Sequence, residues 1–191
     1  MSVCIVAGLL AIGCGGAGKE ATKLRFAENT PGDLRRLATA TWSRFDAAFS
    51  AHRACTPPVE LVGDWDFENR GVYEPDTRKV ILGIPGTVAQ LESALIHEFA
   101  HHLEFNCEAH LDLRPGFLDA QGFPEDAPWA HGTSWEATPS EQWAEAAIEV
   151  VRGRRLYQRN VAIRLEAREL IAAWGQASGT PGRMAVGAQV P

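Results

Sequence analysis

The chain has 191 residues, 46% of them hydrophobic and 22% charged, with a net charge of −6. This length and balance suit one globular domain with a sizeable core. The acidic excess excludes the basic footprint of a nucleic-acid binder, and no stretch is long and apolar enough to span a bilayer as a helix.

Val3 to Ile12 is a short apolar run, closed by Ala11-Ile12-Gly13-Cys14 and followed by Gly15-Gly16. It resembles a bacterial lipoprotein signal, in which small residues precede a cysteine that is lipidated and becomes the mature N-terminus. The run departs from that pattern in lacking a preceding Lys or Arg and in having Ala11 where Leu is usual. A buried first strand is the competing reading. The resemblance implies a signal segment over residues 1–13, lipidation at Cys14 and a tether over residues 14–29. It also implies an exported lipoprotein at the bacterial cell envelope, held to the membrane by a lipid anchor only. With Cys4 and Cys14 assigned to the signal, Cys55 and Cys107 remain. An even pair in an oxidising compartment is expected to form one disulfide, whereas in a reducing one the two are separate buried thiols.

Thr30-Pro31-Gly32-Asp33 reads as a helix start, with Thr30 as N-cap and Pro31 at the first position. Leu34, Leu37, Ala38, Thr41, Trp42, Phe45 and Phe49 follow at helical spacing, so residues 31–52 are expected to form an amphipathic helix whose aromatic stripe is core. Thr56-Pro57-Pro58 ends it, and Val59-Glu60-Leu61-Val62 reads as a short strand. The acidic stretch from Asp64 to Asp76 lacks the spacing of a calcium loop and reads as solvated. Gly71-Val72-Tyr73 and Lys79 to Ile84 flank Glu74-Pro75-Asp76-Thr77 as a hairpin.

The next segment carries the chemistry. Thr87-Val88-Ala89-Gln90 is a capping box that opens a helix, and Leu91, Leu95, Ile96, Phe99 and Leu103 give that helix an apolar face. The same helix contains His97-Glu98-x-x-His101. Residues four apart share a helix face, so both imidazoles reach one ion, while Glu98 can touch a water beside it. A core helix bearing these groups needs partners for them, and a zinc ion supplies them. His102 points about 100° away from His101 around the helix and is a poor ligand. Residues 106–136 are rich in Gly, Pro and Asp and read as a long loop walling a cleft, with His110 and His131 as ordinary surface histidines.

The third ligand decides the family. Glu104 and Cys107 stand where the metzincin pattern has Gly and His, which rules that pattern out. Further on, Glu141-x-x-Ala144-Glu145 matches the gluzincin signature of a glutamate ligand followed one turn later by a supporting acid. On these motifs, residues 71–151 resemble the gluzincin clan of zinc metallopeptidases. The resemblance implies an α+β, mostly helical zincin-like domain over residues 30–175, with a small sheet beside the metal helix. It implies one Zn2+ held by His97, His101 and Glu141, with Glu145 orienting a ligand histidine. It also implies that the strand leading into the metal helix is the edge along which a peptide or protein substrate pairs. Thr138-Pro139-Ser140-Glu141 is itself a capping box, however. If Glu141 only caps, Glu145 becomes the ligand and Glu149 its support.

The activity implied is peptide hydrolysis by a metal-activated water, with Glu98 as the catalytic acid–base and His131 or Tyr157 as the oxyanion donor. The alternative is a surface lipoprotein that keeps zinc for stability and binds a partner. The segment from Arg154 to Trp174 reads as an Arg-decorated helix with Leu156, Val161, Leu165 and Ile171 on its apolar face. The tail over 176–191 has the composition of a disordered segment.

Overall fold

Leu24–Phe26 form strand β1 in the computed structural model, which describes residues 23–153 and 161–177. The expected signal segment, Cys14, the first part of the tether, Leu156, Tyr157 and nearly all of the expected tail lie outside those residues. β1 corrects the tether reading. Only three residues long, it shows too little alternation to stand out, yet Leu24 is 4% exposed. Its register is set by a partner, β2 (Val59–Asp64), which it joins in parallel with Leu24 opposite Val59.

Helix α1 (Gly32–Ala48) makes the crossover between β1 and β2, and a 3-10 turn, Ser50–Cys55, follows it. Thr30 does not cap α1. Its hydroxyl donates instead to Leu61 O at 3.0 Å, tying the start of the helix to the sheet. The hairpin is as expected, with β3 (Gly71–Glu74) antiparallel to β4 (Lys79–Gly83). The sheet order is β1-β2-β4-β3, and β4 also pairs in parallel with β2. The strand leading into the helix that carries His97 and His101 is therefore an inner strand, and the edge on that side falls to β3. β4 has a backbone partner on both sides, whereas β3 has one.

Helix α2 (Val88–Asn106) starts at the Thr87–Gln90 capping box, with both reciprocal bonds present. Packed on both the sheet and α1, it buries Leu95, Ile96, Phe99 and Leu103, and Trp42 meets Phe99 edge-on at 4.8 Å. Helices α3 (Ala109–Gln121), α4 (Pro139–Arg152) and α5 (Leu165–Gln176) complete the mixed α and β architecture. No helix of the described residues is long and apolar enough to cross a membrane.

α3 replaces the first half of the expected loop. His110, Leu113, Phe117 and Gln121 are buried at helical spacing, but Pro115 within the segment and the polar residues between them hide the pattern. Gly122 ends the helix in the left-handed region at φ 81°, which costs a glycine little. In α5 the buried face is Ala167, Ile171 and Trp174, whereas Leu165 is exposed. The expected helix from Arg154 is thus corrected: residues 161–164 are not helical, so Val161 lies before α5, and of the expected apolar face only Ile171 is buried within the helix, beside Trp174 packed on Phe49 and Trp143.

His110 is fully buried rather than at the surface, ringed by Trp129, Trp143 and Trp174. Burial pushes its pKa from 6.5 down to about 3, against the pull of the Glu104 carboxylate. Between those two values the unfolded chain holds a proton that the folded chain lacks. Stability from a neutral His110 is complete above its unfolded pKa and falls as the pH drops, by at most about 1.4 kcal/mol per pH unit. Denaturant titrations of His110→Phe should therefore show a pH slope shallower than wild type by about one proton between pH 6 and 4. Parallel slopes would show that His110 does not titrate on unfolding.

Candidate metal centre

α4 lies against α2 through a face of small side chains. Ala144, Ala146 and Ala147 are fully buried, and Trp143 Nε1 reaches Ala100 O at 3.5 Å. This close approach carries Glu141, in the first turn of α4, to the two histidines of α2. His97 Nε2 is 3.0 Å from Glu141 Oε2, His101 Nε2 is 3.5 Å from the same oxygen, and the two Nε2 atoms are 3.2 Å apart. A tetrahedral zinc ion with bonds of ~2.0–2.1 Å holds its ligand atoms about 3.3 Å apart, so the three donors fit that ion. Glu141 makes no cap. No side chain caps α4, and the Thr138 hydroxyl donates to Ser134 O at 2.8 Å.

Each histidine has a carboxylate behind it. His101 Nδ1 is 3.0 Å from Glu104 Oε2, and His97 Nδ1 is 3.1 Å from Glu145 Oε1, an ion-pair distance whose angle falls short of a good hydrogen bond. A carboxylate on Nδ1 keeps the proton there and leaves the Nε2 lone pair for an ion. Glu145 is held in turn by Arg70 Nη2 at 2.9 Å. Glu104 accepts from Trp129 Nε1 and from Ser140 Oγ.

The carboxylates of this cluster favour positive charge on the two imidazoles. Burial alone would lower His101, but Glu104 and Glu141 outweigh it and push the pKa up to about 10. His97 is raised in the same way, its burial offset by Glu141, Glu145 and Glu98. Burial raises the Glu145 carboxyl, yet His97 and Arg70 hold it down to about 2. Glu141 lies well below the ordinary carboxylate range for the same reason, His101 and His97 winning over burial. Four carboxyl side chains thus crowd two imidazoles, and Arg70 and Arg114 offset part of their charge at Glu145 and Glu104.

Glu98 is 4% exposed and lies against the start of β3. A Cβ added at Gly71 would stand 2.8 Å from Glu98 Oε1, so the missing side chain there is what admits the carboxyl group. His102 faces away from the cluster, as its helical position requires. It lies 3.0 Å from Tyr73 OH and 3.0 Å from Pro57 O, and burial pushes its pKa down to about 4. His131 is exposed. Trp135, in a 3-10 turn (Trp135–Ala137) just before α4, stacks over His97 with ring centres 5.9 Å apart.

The residues that sequence reasoning missed here are Glu104, Arg70 and Trp135. Glu104 was legible in principle, because it follows His101 by three residues and so shares its face of α2. Nothing local marks Arg70 or Trp135, which arrive from other segments. Set against family models, curated proteins and solved structures, the chain matches none of them.

Proposed function

We propose that this protein is a zinc-dependent peptidase of zincin-like architecture. The observation that carries the reading is the convergence of His97 Nε2, His101 Nε2 and Glu141 Oε2 within 3.0–3.5 Å of one another. The acid beside the first histidine adds to it. His97, His101 and Glu141 would hold the ion, which when bound lowers the pKa of a water and polarises the scissile carbonyl. Glu98 takes the proton of the attacking water and passes it to the leaving amine. Glu104 and Glu145 keep both imidazoles in the ligating tautomer. Trp135 covers His97 and keeps bulk water from one side of it. The β3 edge, next to Glu98 through Gly71, is the natural place for a substrate backbone to pair.

We also propose export with a lipid anchor at Cys14. The disulfide between Cys55 and Cys107 suits an oxidising compartment.

The deciding experiment measures metal content and hydrolysis together. The purified chain should carry one zinc per molecule and cleave members of a mixed peptide library. A chelator should abolish cleavage, and added Zn2+ should restore it. A chain that binds no zinc from a metal-buffered solution would sink the reading.

A further inference from the structure

Away from that centre, the turn Ser50–Cys55 brings His52 and Cys55 against Cys107 at the end of α2. A ring nitrogen of His52 and the two sulfurs all lie within 4.8 Å of one another, with Cys107 Sγ 3.8 Å from His52 Nδ1. His52 and Cys107 are buried. The ring's other nitrogen, Nε2, lies 2.9 Å from Trp174 O. A carbonyl only accepts, so Nε2 carries the proton and Nδ1 turns its lone pair to the sulfurs. A backbone carbonyl behind an imidazole is the device that orients metal-ligating histidines, and Trp174 also stacks on the ring at 3.7 Å. In His52-x-x-Cys55 the nitrogen and one sulfur come from a single turn of chain, and the second sulfur comes from another element.

We propose that, once the Cys55–Cys107 disulfide is reduced, His52, Cys55 and Cys107 form a second metal site for a thiophilic cation such as Zn2+. Disulfide and metal are then alternatives at one place in the fold. A dithiol reductant supplies two electrons and two protons, breaking the S–S bond to two thiols and becoming a disulfide itself. Metal binding displaces the two thiol protons to solvent and leaves two thiolates and a neutral imidazole as ligands. One nitrogen and two sulfurs favour zinc over magnesium or calcium, which take oxygen. His110, one turn past Cys107, stays outside the set. Arg114 Nε donates to its Nδ1 at 3.3 Å, which keeps the proton on Nε2.

Cobalt tests this without relying on activity. The full chain carrying Cys4→Ser and Cys14→Ser, which leaves Cys55 and Cys107 as its two cysteines, is oxidised or is reduced with dithiothreitol and desalted without oxygen, and is then titrated with Co2+ alone. Thiolate-to-cobalt charge transfer in the near ultraviolet reports sulfur ligands, and the His97 centre has none. The band should appear in the reduced chain, saturate at one equivalent, and be absent from the oxidised chain. It should vanish in Cys55→Ser, persist in Glu141→Ala, and need at least about tenfold more Co2+ in His52→Ala. A reduced, folded chain with two titratable thiols and no band would overturn the proposal. So would loss of near-ultraviolet circular dichroism on reduction, or an unchanged titration of His52→Ala. Because the band persists or fails independently of Glu141, the result stands apart from the peptidase reading.

Discussion

Replacing Glu98 by glutamine is expected to slow peptide hydrolysis by about 10²–10⁴-fold while zinc content stays at the wild-type level. Glutamine has nearly the same shape, so the packing of the 4% exposed side chain against β3 is kept. What it loses is the ability to take and return a proton. Gly71→Ala probes the same group from the other side. The added methyl falls 2.8 Å from Glu98 Oε1, the flexible end of that side chain, which must move aside. Turnover should fall there too, with metal content and fold retained. Activity of Glu98→Gln and zinc content are to be read on the same preparation. If Glu98→Gln hydrolyses at the wild-type rate, Glu98 is not the acid–base. If no peptide is cleaved by either protein and both keep zinc, the peptidase reading fails.

The second large effect separates two glutamates one helical turn apart. Glu141→Ala should lose stoichiometric zinc, because it removes the oxygen that faces both Nε2 atoms. Glu145→Ala should keep the site and weaken zinc by about 10–100-fold, the usual cost of removing a carboxylate that orients a ligand histidine. Its partner Arg70, 2.9 Å away, then loses its counter-charge. Metal content by mass spectrometry at a fixed, buffered free zinc concentration distinguishes the variants. The reverse order, with zinc lost from Glu145→Ala and kept by Glu141→Ala, would move the ligand by one turn. It would also require His97 to ligate through Nδ1.

The sequence by itself determined helix α2 and the pairing of His97 with His101 on it. The Thr87–Gln90 cap, the apolar spacing from Leu91 to Leu103 and the four-residue interval from His97 to His101 are local relations, and a helix imposes them within a few turns. The same reasoning turned His102 away from His97 and His101, and its partners Tyr73 and Pro57 agree. Longer-range relations were not legible. Strand β1 is too short to carry a period of its own, and its identity comes from pairing with β2. α3 carries Pro115 and Gly116 in its middle, which break a helical reading of the sequence, and its buried face is completed by α5, Trp129 and Trp143.

Only the tertiary structure decided between Glu141 as cap and Glu141 as a donor facing both histidines. Both uses fit the same four letters, and the docking of α4 on α2 determines where the carboxyl points. It also brought Arg70 and Trp135 to the cluster and set Cys107 beside His52 and Cys55. Those residues meet because chain segments far apart in sequence share one core, and no periodicity in a single segment records which neighbours that core will supply.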